Sequence, residues 1–344
     1  MTSRPFVSFA QNREDVVLAR ALRPDERTGT WIDVGASDPI VDSVTAAFSE
    51  RGWRGVNVEP LPSDFERLVA ARPNDVNLCV AAGATPGSAK LFEGPPENRG
   101  SSTMVAEIAD HYRDLGQEFA AIEVPVLTLA QIVDQHVTAP VDFLKIDVEG
   151  FEREVLAGVD WSRIRPRIVV VEATVPNSTE PSHDAWEGIL EAAGYCFALF
   201  DGLNRFYTRD DEPELLRVVS APANVLDHYV PFQWSRQIDE ATTWAASLEA
   251  ELAVTASALD RMTTEHAAAW RAARTANDAA LVATEQVAVL RADLAAAQLR
   301  TAKALADLRC SSRELEALLA TRTFRSTARL RDAYTVLRRT LHLS

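Results

Sequence analysis

Five acids in this sequence have the clearest capacity for chemistry: Asp33, Glu59, Asp147, Glu149 and Glu172. They stand at or just past the ends of short apolar runs: Thr30–Val34 before Gly35, Gly55–Val58, Val141–Ile146 and Arg167–Val171. Such runs read as buried parallel strands, and in a doubly wound sheet a ligand lies beyond their carboxyl ends. Carboxylates gathered there raise one another's pKa at a cost in stability, which a purely structural protein has little reason to carry. Asp33 taken alone reads equally well as a helix cap or a turn-bonding residue.

The cofactor follows from what surrounds the acids. Gly35 is followed by Ala36-Ser37-Asp38-Pro39, without the further glycines of a dinucleotide-binding turn, and no P-loop lysine pattern occurs. A zwitterionic cofactor without phosphate suits the site better, with Asp33 facing an ammonium and Glu59 the two hydroxyls of a ribose. S-adenosylmethionine meets that description. Methyl transfer from a sulfonium is an in-line displacement that depends on holding the reacting atoms ~3–3.5 Å apart. A hydroxyl acceptor must also give up its proton during the attack. Asp147 is the expected base, with Glu149 orienting substrate or sharing that role. In an alternative, Asp147 and Glu172 hold Mg²⁺, which acidifies the hydroxyl; the sequence does not favour it, and no metal ligand is assigned. His111 is a competing base, more simply read as a solvated loop histidine. Ser101 and Ser102 are placed to bond substrate hydroxyls or, with Thr103, to cap the helix after Met104. Lys145, inside a core strand, should reach an edge or pair with an acid. Trp31, Trp53, Phe143 and Trp186 read as core.

The elements that must position these residues alternate regularly. Strands at Thr30–Val34, Gly55–Val58, Asp75–Ala82, Val141–Ile146 and Arg167–Val171 are separated by helices at Gln11–Leu22, Asp42–Arg51, Ser63–Ala71, Thr128–His136, Glu152–Ala157 and His183–Ala193. Lys90–Phe92 reads as a short edge strand, and Tyr195–Phe200 with Arg205–Thr208 as a hairpin. This is a doubly wound, mostly parallel α/β sheet of Rossmann-like type. The polar stretch 94–116 interrupts it, and a long excursion of that kind is usually functional. Glycine is absent after Phe232, and a 4-3 spacing of Leu248, Leu252, Leu259 and Met262, resumed at Leu290, Leu294, Leu305 and Leu308, predicts a long coiled-coil helix. Three domains are expected: 1–232, the α/β domain; 233–320, a helical stalk for self-association; and 321–344, a basic amphipathic tail suited to an anionic membrane surface.

The chain has 344 residues and a net charge of −15. Residues 1–232 carry 20 Lys and Arg against 37 Asp and Glu, and the remainder 15 against 13. So acidic a domain is a poor partner for nucleic acid. Cys79, Cys196 and Cys310 are widely spaced, and no signal or membrane-spanning run occurs. A reduced, cytoplasmic protein is expected, touching the inner face of a membrane through its tail.

Several stretches resemble the FkbM family of S-adenosylmethionine-dependent methyltransferases, over roughly Phe9 to Tyr207. They are Gln11 with Glu14-Asp15, Ile32-Asp33-Val34-Gly35-Ala36, Gly52-Trp53-Arg54-Gly55 leading to Glu59-Pro60, Ser101-Ser102-Thr103, Asp142 through Gly150, and Asp201 through Phe206. The family opening Ser-Gln-x-Gly-Glu-Asp departs here, with Ala10 for the serine and Arg13 for the glycine. The resemblance implies a class I methyltransferase fold with cofactor contacts at Asp33, Gly35 and Glu59, a set extended to Gln11, Ala36, Ser37 and Pro60. The chemistry of the residues themselves, rather than the resemblance, assigns catalysis to Asp147 and Glu149 and substrate contacts to Ser101, Ser102 and Glu172. Family members are associated with O-methylation of sugar and secondary-metabolite hydroxyls, and the tail is similar to those of envelope-polysaccharide enzymes. The expected acceptor is therefore a hydroxyl of a glycan or glycosylated metabolite. Competing functions are a nucleotide-sugar glycosyltransferase and a coiled-coil scaffold with a non-catalytic α/β domain.

Overall fold

The computed structural model describes residues 5–96, 98–273 and 279–320, and the chain divides into two units, Met1–Phe232 and Gln233–Ser344. The first unit contains β1 (Phe6–Ser8), α1 (Glu14–Leu22), β2 (Thr30–Val34), α2 (Ala46–Glu50), β3 (Arg54–Val58), α3 (Pro62–Ala71), β4 (Val76–Leu78), β5 (Ala81–Ala82) and β6 (Gly87–Glu93). It continues through α4 (Ala106–Asp114), β7 (Ala120–Leu127), α5 (Leu129–His136), β8 (Phe143–Ile146), α6 (Glu152–Ala157), β9 (Ile168–Glu172), α7 (Glu187–Ala192), β10 (Tyr195–Phe200), β11 (Asn204–Arg209), α8 (Pro213–Val219) and β12 (Tyr229–Pro231).

Seven strands form the main sheet in the order β10-β11-β9-β8-β2-β3-β4. Strands β4, β3, β2, β8 and β9 pair in parallel, while β11 is antiparallel to both β9 and β10. The chain runs outward from β2 through β3 to β4, then adds β8 and β9 on the other flank of β2. The topological switch point therefore lies between β2 and β8, where ligands of such sheets bind. Alternate residues fill opposite faces: Ile32, Val34, Leu144 and Ile146 on one side, Trp31, Phe143, Ile168 and Val170 on the other. The second face is an aromatic layer, with the Phe48 ring 5.1 Å from Trp53 and 5.0 Å from Phe143. Gly55 is a packing glycine, since a Cβ there would lie 2.4 Å from the Trp31 indole.

Several boundaries differ from expectation, among them the helix expected from His183, whose α-helical part begins at Glu187. The predicted strand Asp75–Ala82 is two strands, because the chain leaves the main sheet after Leu78 and enters a second one, β5-β7-β6. The helix expected from Asp42 begins only at Ala46, since Asp42 takes φ 57, which ordinary residues adopt at a cost. Helix α1 begins at Glu14 rather than Gln11, because Arg13 takes φ 73. That left-handed conformation is the one a glycine adopts freely, which gives the departure at position 13 its physical meaning. The first unit is also tied at its ends: β1 and β12 pair in parallel, Phe6 opposite Tyr229.

The helical region is described as two helices of 42 residues, α9 (Phe232–Ala273) and α10 (Ala279–Ala320). Leu248, Leu252, Leu259, Leu290, Leu294 and Leu305 are half-buried among exposed neighbours, while Met262 and Leu308 are exposed. Trp244 and Leu248 line one small crevice with Leu305 and Leu308. Among the described residues no helix is long and apolar enough to cross a membrane. The basic tail, 321–344, lies outside the described residues.

Candidate functional site

The site begins where two parallel strands place unlike charges opposite each other. In the β2–β8 register Asp33 faces Lys145, and both are buried, 1% and 9% exposed. Lys145 Nζ lies 3.4 Å from Asp33 Oδ1, 3.4 Å from Asp147 Oδ2, and donates to the Gly35 carbonyl at 2.7 Å. Burial works against the ammonium charge, but the neighbouring Asp33 and Asp147 outweigh it and hold the Lys145 pKa above its ordinary value. On the other oxygen of Asp33, Thr45 Oγ1 donates at 3.1 Å, and Thr45 in turn accepts from the buried Arg72 guanidinium at 2.6 Å. Asp33 therefore pairs with an ammonium of the chain itself. Asp33 turns inward because a buried strand carboxylate needs a permanent counter-charge.

Gly35 brings the two strand ends together. It takes φ 78, and a Cβ there would sit 1.8 Å from the Asp147 carbonyl oxygen. The Gly35 and Ala36 amides both donate to the Val58 carbonyl, at 3.0 and 3.2 Å. Gly35→Ala is expected to cost about 2–5 kcal/mol, from a left-handed alanine plus a backbone clash. An unchanged denaturation midpoint would contradict this.

Beyond β8 and β9 three acids converge. One carboxylate oxygen from each of Asp147, Glu149 and Glu172 lies within 4.8 Å of the others. Glu172 is 7% exposed and its Oε2 has no hydrogen-bond partner. Burial, then Asp147 and Glu149, push its carboxyl up to about 11. Burial and then Asp147 likewise raise Glu149 well above the carboxylate range. Glu149 sits at φ 52, where Thr103 Oγ1 pins its carbonyl by a 2.7 Å hydrogen bond. Glu152 accepts the Gly150 amide at 3.0 Å and the Val148 amide at 3.3 Å, fixing the turn that carries Glu149. Tyr112 of α4, 2% exposed, approaches closely enough that Glu149 and Glu172 help burial to raise its phenol pKa. The polar excursion therefore does reach the acids, through Thr103 and Tyr112.

Other predicted residues are placed differently. Glu59, 4% exposed, accepts the Ser37 amide on one oxygen and the Leu61 amide on the other, both at 2.8 Å, and clamps the two loops at the ends of β2 and β3. Each oxygen keeps a further lone pair. Ser101 and Ser102 spend their hydroxyls in their own turn, donating to the Asn98 and Arg99 carbonyls at 2.7 and 2.6 Å, so the structure does not aim them at a substrate. Ala36 is buried, Ser37 and Pro60 are half-buried, and Gln11 and His111 are exposed. Glu14 accepts Asn204 Nδ2 at 2.7 Å, and Asp15 accepts Ser8 Oγ and the Phe9 amide, both at 2.7 Å. These two acids hold the N-terminal segment against the sheet, a role their local sequence does not reveal.

Burial raises the carboxyls of Glu14 to about 8, Asp15 to about 6 and Glu59 to about 7. A carboxyl whose pKa is higher folded than unfolded binds a proton that the unfolded chain releases, so its contribution to stability grows as pH falls. The melting temperature is expected to rise by several degrees between about pH 8 and pH 5, each pKa difference of one being worth about 1.4 kcal/mol. Calorimetry across that range checks it; a flat or falling curve contradicts it.

Residues 33–197 match the methyltransferase FkbM domain family. No curated protein matches the chain. Among solved structures, the Burkholderia thailandensis 1,6-didemethyltoxoflavin-N1-methyltransferase with bound 1,6-didemethyltoxoflavin and S-adenosylhomocysteine is 13% identical, with a TM-score of 0.30, covering 57% of this chain and 74% of its own. An O-methyltransferase from Bacillus cereus in complex with SAH is also 13% identical, with a TM-score of 0.31, covering 59% of this chain and 82% of its own.

Proposed function

We propose, from the premise that the chain belongs to the methyltransferase FkbM domain family through residues 33–197, that it is an S-adenosylmethionine-dependent O-methyltransferase acting on a glycan or glycosylated metabolite. The observation that carries the proposal is the cluster of Asp147, Glu149 and Glu172 beside the switch point of the sheet. When bound, S-adenosylmethionine supplies a methyl group on a positively charged sulfur, and the acidic cluster suits that charge. The free lone pairs of Glu59 are matched to ribose hydroxyls. The Gly35–Ser37 loop, fixed by Glu59 from one side and Lys145 from the other, gives the cofactor a rigid floor.

Asp147, with its side chain 36% exposed, is the acid of the cluster open to an acceptor, and it takes the proton from the attacking hydroxyl. Glu149 and Glu172 orient the sugar by accepting from its other hydroxyls or, when protonated, donating to its oxygens. A role in surface polysaccharide synthesis, self-association through the helical unit and membrane contact through the Arg-rich 321–344 sequence belong to the same proposal. Titration calorimetry with S-adenosylhomocysteine tests the cofactor, and mass spectrometry of surface glycans from cells with and without the gene tests the acceptor. The expected result is tight binding and the loss of one CH₂ increment from a sugar. No binding of S-adenosylhomocysteine would overturn the proposal.

A further inference from the structure

We propose that Asp147, Glu149 and Glu172 form a binding site for one hard divalent cation, Mg²⁺ or Mn²⁺. An ion held at ~2.1 Å by three oxygens keeps them about 3–4 Å apart. The three carboxylates each offer an oxygen within 4.8 Å of the others, so closing on an ion needs only side-chain adjustment. The independent observation is Glu172. Its side chain is buried, its Oε2 makes no hydrogen bond, and it is directed at the other two acids. A buried carboxylate oxygen without a partner costs folding energy unless something binds it.

Among the described residues no cation supplies that partner. Lys145 is shared among Asp33, Asp147 and the Gly35 carbonyl, and so balances Asp33 before it can serve the cluster. Glu152 adds a fourth acid nearby, its oxygen taken by the Val148 and Gly150 amides. Tyr112 lies near Glu149 and Glu172 and accepts a hydrogen bond from Asn177. On the open side Asp147 reaches solvent, leaving coordination positions for water or a ligand oxygen. An all-carboxylate set selects Mg²⁺, Mn²⁺ or Ca²⁺ over softer metals. The sequence alone does not favour a metal on these acids; the turn at Glu149 brings its carboxylate beside those of Asp147 and Glu172. The chemical consequence rests on the methyl-transfer reading: an acceptor hydroxyl on the ion would be acidified in place.

The test is Mn²⁺ titration of the EDTA-treated full chain, followed by electron paramagnetic resonance and calorimetry. One Mn²⁺ per chain is expected, competed by Mg²⁺, with affinity reduced more than ~10-fold in Glu172→Gln, an isosteric change whose folding is verified by circular dichroism. Absence of stoichiometric Mn²⁺ binding by the unmodified chain, or equal affinity in the folded Glu172→Gln variant, overturns the site. Titration of S-adenosylhomocysteine in EDTA separates the two proposals. Mn²⁺ binding without S-adenosylhomocysteine binding removes the methyl-transfer reading and leaves the cation site, and the converse removes the site alone.

Discussion

Replacing Asp147 with asparagine is expected to slow methyl transfer by ~10²–10⁴-fold, the usual contribution of a positioned base. Asparagine keeps the shape of the side chain but accepts no proton at neutral pH. The backbone role of this residue survives the change, because its amide still donates to the Val34 carbonyl at 3.1 Å and its carbonyl still packs over Gly35. Affinity for S-adenosylhomocysteine should therefore stay within a few-fold while turnover collapses. Single-turnover rates with radiolabelled S-adenosylmethionine make the measurement. A variant that keeps the full rate would remove Asp147 from the chemistry. Mn²⁺ titration of the same variant then divides the loss between proton abstraction and cation binding.

The second large effect concerns stability. Lys145→Met should destabilise the first unit by ~3–5 kcal/mol, the cost of leaving one member of a buried ion pair uncompensated. Asp33, 1% exposed, would keep only the Thr45 hydroxyl, and the Gly35 carbonyl would lose its 2.7 Å donor. The double variant Lys145→Met with Asp33→Asn should recover part of the loss, because the orphaned charge goes with its partner. Denaturant titration of the four proteins gives the coupling. A single variant within about 0.5 kcal/mol of the parent would mean that the pair is solvated and that the burial argument fails.

These two residues also mark how far the sequence could be read. The strands were legible because runs such as Ile168–Val171 are apolar throughout, which only a sheet covered on both faces requires. The acids at their ends were legible for the same reason, as polar punctuation of those runs. What one residue faces across the sheet was not. Asp33 and Lys145 stand 112 positions apart in the chain, and their pairing depends on the β2–β8 register, which no local pattern encodes. Glu14 and Asn204 meet across a separation of 190 residues for a similar reason. The serines of the excursion could be read two ways, because a hydroxyl able to bond a ligand is equally able to close its own turn, and here both donate within that turn. In the same excursion Thr103 and Tyr112 reach the acids through the packing of α4, for which the polar sequence carries no signal.

The parallel pairing of Phe6–Ser8 with Tyr229–Pro231 makes the first unit a self-closing cassette. Its entry and exit lie side by side, joined by strand hydrogen bonds remote in the chain from the acidic cluster. A fold of that kind accepts exchange of whatever follows Pro231, or re-joining of its ends and opening elsewhere, with little strain on its interior.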